Sequence, residues 1–157
     1  MPSPTVISVN TSAGGIPKTP INAGDLTTAG LRGDGHNHAK HCTPMSAVSI
    51  LDVEDLDDLK REGFNVFPGA MGENLTVRDL RVDELAVGDR LIFAGGVEIE
   101  ITKHRKPCYV LDAISPDLKR VIVGRCGVLA KVLREGTIRV GETIEVMRAV
   151  TVTIADD

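Results

Sequence analysis

Two stretches of the chain concentrate the side chains able to do chemistry. In GDGHNHAKHCTP, from Gly33 to Pro44, three of the four histidines (His36, His38 and His41) and Cys42 fall within seven residues. A His-x-His pair on extended chain points both rings to one side, and His41 with Cys42 would complete a nitrogen and sulfur set of the kind zinc accepts. All four ligands would then come from one short segment, whereas structural zinc sites join two separated pairs. The segment is read in three ways: a ligand-facing lip with one or two functional histidines, a set of solvated loop histidines, or a metal-binding centre. The expectation is placed on the first, with no dedicated zinc site.

The second stretch, KHRKPCYVLD from Lys103 to Asp112, presents Cys108 directly after Pro107, whose ring fixes φ and removes an N–H. His104, Arg105 and Lys106 lie just before it, and nearby positive charge favours thiolate over thiol. A thiolate can attack a sulfur donor, carry a persulfide or bind a soft metal such as molybdenum. The opposing reading makes Cys108 a small buried apolar residue and the cations a solvated strand end.

Other candidates are held open between two readings. In GAMGENLTV, Gly69 and Gly72 permit a tight turn whose N–H groups meet a phosphate, with Asn74 and Thr76 hydrogen-bonding a ligand; alternatively Glu73 and Asn74 satisfy their own backbone. Arg125 in GRCG has a fork of donors suited to phosphate or carboxylate, against a surface arginine at a turn. Cys126 beside it is read as packing. Lys18, after a glycine pair and a proline, is placed to reach an anion or to stay on the surface.

These side chains need a scaffold, and the composition favours strands. Aromatics are 3% of the 157 residues and Trp is absent, so the 42% apolar content falls on Val, Ile, Leu and Ala. Many of these are β-branched. The length suits one domain over residues 1–157, large enough to fold without disulfides or metal. Thr5–Asn10, Ser46–Leu51, DRLIF with VEIEIT around Ala94-Gly95-Gly96, GVLAKVL and ETIEVMRAVTV are expected as strands. Val97, Ile99 and Ile101 alternate with Glu98, Glu100 and Thr102, so one face of that strand turns inward and its end delivers the basic cluster. Asp52 is expected to cap the one clear helix, with Asp55 at the capping-box spacing; Val53, Leu56 and Leu59 share its inner face, and Gly63 ends it. Its acidic face is read as solvated. The segments TSAGGIPKTPINAGDLTTAGLRGDG and REGTIRVG are expected as loop and turn-rich link.

No apolar run approaches the ~20 residues that span a bilayer, and the N-terminus lacks a signal core, so a cytoplasmic protein without membrane partners is expected. Three cysteines without a C-x-x-C pair suit a reducing compartment. A net charge of −4 and few aromatics argue against nucleic acid. One basic cluster on an acidic chain points to a small anion instead.

In order along the chain, GGIPK, GLRGDGHNHAKHC, GAMGENLTV, LAVGDRLIF, VEIEITKHRKPCYVLD and GVLAKVLREGTIRVGETIEV resemble MOSC domains, the module named for the C-terminal part of molybdenum cofactor sulfurase. The resemblance implies a mainly β fold with a few short helices, partly closed as a barrel, that binds molybdenum cofactor or a related molybdenum species. It places the motif cysteine, which handles sulfur or contacts molybdenum, at Cys108. It also carries cofactor-binding roles onto Lys18, Asp34, His41, Glu73, Asn74, Thr76, His104, Arg105 and Arg125. Implied partners are a sulfur donor such as a cysteine desulfurase and a recipient molybdoenzyme or cofactor-biosynthesis protein. The activity implied is sulfur transfer or, as the alternative, the cofactor-holding part of a reductase of N-hydroxylated compounds. Two departures stand out: His41-Cys42-Thr43 replaces the family's usual His-Gly-Gly, and no pyridoxal phosphate site is evident in the chain.

Overall fold

A computed structural model describes residues 3–14, 16–35, 44–107, 111 and 114–149. The elements run β1 (Thr5–Thr11), β2 (Thr19–Ile21), β3 (Ala23–Thr27), β4 (Gly30–Leu31), β5 (Val48–Asp52), α1 (Val53–Arg61), β6 (Leu75–Arg78), β7 (Arg90–Phe93), β8 (Glu98–His104), α2 (Leu118–Val121), β9 (Val128–Arg134), β10 (Gly136–Arg139) and β11 (Ile144–Met147). Short 3-10 turns cover Pro44–Ser46 and Val82–Glu84. The fold is mainly β, as the β-branched composition implies.

Eight strands form one sheet in the order β11-β7-β8-β9-β5-β6-β1-β2, and β10-β3-β4 form a second. Every described ladder is antiparallel except β5 with β6, which α1 connects as a crossover. The large sheet does not close into a complete barrel. Among the described residues, the chain around the start of β11 touches that around the start of β1, through a bridge between Thr5 and Thr143 and bonds that include Val6 N to Glu142 O at 2.9 Å and Ile144 N to Pro4 O at 2.9 Å.

The β7–β8 hairpin follows from its sequence. Gly96 takes φ +102°, and the turn closes with Phe93 N donating to Val97 O at 2.9 Å. Ile99 and Ile101 are buried, while Glu98 and Glu100 turn out to meet Arg90 and Lys131. β5 is buried along its whole length because it separates two cores. Ile50 faces the interior of the sheet with Val9, Leu75, Phe93 and Ile99. Leu51 faces a second core made with Leu56, Leu59, Met71, Leu118 and Ile122.

Four expectations are corrected. The stretch expected as one long loop carries β2, β3 and β4, and the expected link REGTIRVG carries β10, which pairs with β3. Those strands are short, and β3 and β10 are held together across the length of the chain, so local periodicity does not reveal them. Asp52 precedes α1 but makes no capping bond; its Oδ1 accepts Val82 N–H at 3.0 Å. The acidic face of α1 is not simply solvated, since Asp52 is buried and Asp55 half-buried. No helix among the described residues is long and apolar enough to cross a membrane.

Candidate ligand-binding site

A bulge in β1 creates the polar seam on which the site rests. The register with β6 shifts between Val6 and Ser8, so Val6 and Val9 both reach the core. Ser8 and Asn10 instead join a buried hydrogen-bond network. Ser8 Oγ donates to Asn10 Oδ1 at 2.6 Å, and Asn10 Nδ2 donates to Thr76 Oγ1 at 3.1 Å and to Glu73 O at 3.2 Å. The Thr76 hydroxyl donates onward to Glu73 Oε2 at 2.8 Å. Burial pushes the Glu73 carboxyl above its usual range, opposed by donation from Gly69 and Thr76 and by the charge of Arg105.

The other half of the network centres on Asn74. Its Nδ2 donates to Asp34 Oδ2 at 2.9 Å, and its Oδ1 accepts Ser49 N–H at 3.1 Å. Asp34 also accepts Lys18 Nζ at 2.6 Å on one oxygen and 2.9 Å on the other, and Ser12 N–H at 3.0 Å. Lys18 is therefore not a surface lysine: it is 8% exposed.

The glycine turn before Glu73 is positioned by close approach to the segment carrying Lys18. Gly69 takes φ +91°, Lys18 N donates to Gly69 O at 2.8 Å, and a Cβ on Gly69 would lie 2.2 Å from Lys18 O. The N–H groups of Gly69 and Gly72 are used within the turn, on Glu73 Oε2 at 3.0 Å and Gly69 O at 3.1 Å. Of the two readings of this turn, the geometry is that of Glu73 satisfying its own backbone. A cleft of about 210 Å³ adjoins it, lined by Ile16, Pro17, Asn65, Phe67, Ala70 and Ile114.

At the end of β8, adjacent side chains diverge. His104 Nε2 lies 2.7 Å from Leu85 O, so the histidine is tied to the turn before β7. Arg105 donates from Nη2 to Met71 O at 3.2 Å, the same nitrogen lies 3.9 Å from where a Gly72 Cβ would stand, and its backbone N donates to Gly127 O at 3.0 Å. Lys103 and Lys106 are exposed. Arg125 lies in a different setting, its fork meeting both Glu62 oxygens at 2.6 and 3.1 Å and Val121 O at 2.6 Å. Cys108, His36, His38, His41 and Cys42 lie outside the described residues.

The fold thus joins the stems of the two chemistry-bearing stretches at neighbouring residues: Asp34 bonds Asn74, and Arg105 lies beside the Met71–Glu73 turn. Ser8, Asn10 and Ser49 were not singled out from the sequence. Their signal is a polar residue inside an apolar strand, in VISVN and AVSIL. A second feature also went unremarked, a cluster of Asp52, Asp55 and Asp83 whose carboxylate oxygens lie within 4.8 Å of one another. Burial and mutual repulsion push Asp52 up to about 6 and Asp55 up to about 8, and Asp83 is raised as well.

Comparison with known proteins gives the same family as the motifs. The sequence matches the MOSC domain over residues 37–145. A protein named Reductase from Gibberella moniliformis is 29% identical over 77% of this chain, which spans only 23% of that protein's length. The crystal structure of the YUAD protein from Bacillus subtilis superposes with a TM-score of 0.78 at 21% identity, covering 92% of this chain and 95% of that one. YiiM from Geobacillus stearothermophilus gives 0.74 at 24% identity, over 92% of this chain and 75% of that one. YiiM from Escherichia coli gives 0.72 at 23% identity, over 96% and 72%. These structures share the fold, and the match from 37 to 145 takes in both the Asn74 turn and the Arg105 strand end: the chain belongs to the MOSC domain family.

Proposed function

We propose that this chain binds molybdenum cofactor, or a related molybdenum and pterin species, as a single cytoplasmic domain over residues 1–157, and carries sulfur through Cys108. One observation carries the reading. Asp34 hydrogen-bonds Asn74 at 2.9 Å while Arg105 rests on Met71 O at 3.2 Å, so the stems leading to His41 and to Cys108 meet at one turn. MOSC domains are associated with this cofactor, and the donor set suits it. Arg105, half-buried, and Lys106, exposed, supply cationic donors for a phosphate, and the thiol of Cys108 is a soft ligand for molybdenum. When bound, the cofactor supplies a redox-active metal held by sulfur.

The protein's own residues divide the remaining work. Lys18, Asp34, Glu73, Asn74 and Thr76 are buried or tied to one another, so they shape the wall on which ligand-facing residues stand. Arg105 binds the anionic group and, by its charge, favours the Cys108 thiolate. That thiolate attacks the outer sulfur of a persulfide on a donor such as a cysteine desulfurase. The donor's S–S bond breaks, its own thiolate leaves, and Cys108 becomes the persulfide with no net oxidation. A molybdoenzyme or cofactor-biosynthesis protein then receives the sulfur. His41 lines the ligand face.

A second reading draws on the relative named Reductase, of which this chain spans 23%. In that reading the domain holds the cofactor for reduction of N-hydroxylated compounds, with electrons delivered by separate partners. Mass spectrometry of the native protein isolated from its own cells tests both. A bound pterin with a persulfide on Cys108, lost in Cys108→Ser, supports the first reading. A pterin without persulfide favours the second, and stoichiometric zinc with neither overturns both.

A further inference from the structure

We infer that the cleft beside the Gly69 turn binds a neutral organic compound the size of a single ring with one amide-like group, and that Phe67 and Asn65 select it. The binding site stands on the protein alone. That its occupant is the compound reduced beside the cofactor deepens the second reading above and rests on it.

The sequence builds this cleft from two motifs. In FPGA, from Phe67 to Ala70, proline and glycine take the second and third positions of a tight turn; Gly69 has φ +91°, and Ala70 N donates to Phe67 O at 2.8 Å. Phe67 and Ala70, the first and last residues of the turn, therefore stand side by side on the cleft. Ile16 and Pro17, from GGIPK, are brought to it by Lys18 N donating to Gly69 O at 2.8 Å. Ile16 and Ile114 rest on the second core, Ala70 is buried, and Phe67 keeps 40% of its surface in water.

The lining decides the chemistry of the occupant. An apolar cavity of about 150 Å³ takes up benzene, so about 210 Å³ is room for one ring and a short substituent. None of the six lining side chains is charged, and a charged group among them would lose hydration without gaining a counter-charge. Asn65, exposed, is the one polar side chain of the lining; it offers a donor and an acceptor together, whose complement is an amide-like group. A pterin does not meet these terms, because its fused rings carry donors and acceptors along both edges and one amide pairs few of them. The cleft therefore takes a second molecule. A Cβ on Gly72 would stand 3.0 Å from Ile16 Cγ2 and 3.9 Å from Arg105 Nη2, so one wall of the cleft adjoins the strand end that leads to Cys108. Transfer of sulfur between proteins uses no such compound, whereas reduction of a small N-hydroxylated one does.

Benzamide is the probe, titrated into the purified full chain at pH 7 and followed by protein NMR. Saturable shifts should appear at Phe67, Ala70 and Ile114, with a dissociation constant on the order of 1 mM, as suits a ligand this small. Benzoate, the same shape with a negative charge, should bind at least about tenfold more weakly, and acetamide, which lacks the ring, should not saturate. Phe67→Ala and Asn65→Ala, both at exposed positions, should each weaken benzamide about threefold to tenfold and leave the melting temperature unchanged. The site is overturned by shifts that are absent or centred elsewhere, by benzoate bound as tightly as benzamide, or by an affinity indifferent to either substitution. The substrate role has its own readout. Benzohydroxamic acid, the N-hydroxylated counterpart, should compete with benzamide for the same shifts, and failure to compete overturns that role. If benzamide binds as expected while the native protein carries no pterin, the second reading falls and takes the substrate role with it, whereas the binding site holds.

Discussion

Lys18 grips Asp34 by both carboxylate oxygens, at 2.6 and 2.9 Å, with the two side chains only 10% and 2% exposed. A pair removed from water to this degree is held by its complement of hydrogen bonds, here Ser12 N–H and Asn74 Nδ2 on the same carboxylate. Lys18→Met should therefore cost about 3 to 5 kcal/mol in urea unfolding, because Asp34 keeps a buried charge without its cation. Adding Asp34→Asn to that variant should recover part of the loss. A double variant less stable than the single one would show that the charge pair is not what the site depends on.

Gly69 links that pair to the turn. Gly69→Ala adds both a left-handed backbone, φ +91°, and a Cβ 2.2 Å from Lys18 O. Gly33 shares the backbone feature at φ +86° but has nothing within 4 Å of a Cβ. Gly33→Ala should cost about 1 to 2 kcal/mol, the conformational term alone, and Gly69→Ala clearly more. Equal losses by chemical denaturation would mean that the approach to Lys18 relaxes without penalty.

What the sequence disclosed follows from where information is local. The period of two in Val97, Ile99 and Ile101, the glycine turn before it and the face formed by Val53, Leu56 and Leu59 are properties of contiguous residues, and each appears in the fold as expected. β3 and β10 could not be seen this way, since each is held by a strand some 110 residues distant, with Gly136 opposite Leu26 and Thr137 opposite Asp25. The same distinction holds within the site. Motif order pointed to Asp34, Asn74 and Arg105, but that Asp34 bonds Asn74 depends on the chain after β4 reaching the residue before β6. The neighbours Arg105 and His104 were expected to act together as one basic cluster. Strand alternation sends them apart, one to Met71 and the other to Leu85.

The aspartate cluster makes stability fall as pH rises. Asp55 is raised to about 8 and Asp52 to about 6, by burial first and then, for Asp55, by its hydrogen bond and repulsion with Asp83. Both lie above the ~3.9 of an unfolded aspartate, so the folded state holds protons that the unfolded chain has released. The stabilisation is complete below about pH 4 and is lost as pH passes 6 and then 8. Asp55→Asn, a neutral mimic, should thus gain on wild type in melting temperature between pH 6 and 9. The test must be read against the other charges there, Glu54, Asp58, Glu84, Glu62 and Arg125, none of which the substitution alters. Melting curves that stay parallel across this range would show that Asp55 is ionised throughout.

Charge at the end of β8 should be visible in thiol chemistry. Cys126 is 4% exposed, its Sγ lies 3.3 Å from Ile122 O, and burial pushes its thiol up, so alkylation at pH 7 should be slow. Cys108 follows Arg105 and Lys106 by three and two residues, and a cation that near favours the reactive thiolate. In a Cys42→Ser background, iodoacetamide followed by peptide mass mapping should label Cys108 first. Arg105→Glu should then slow that labelling by roughly twofold to tenfold, which corresponds to a pKa rise of up to about one unit, while leaving Cys126 slow. Faster labelling of Cys126, or a Cys108 rate indifferent to Arg105→Glu, would separate the basic strand end from the cysteine it leads to and remove the physical basis for sulfur chemistry at Cys108.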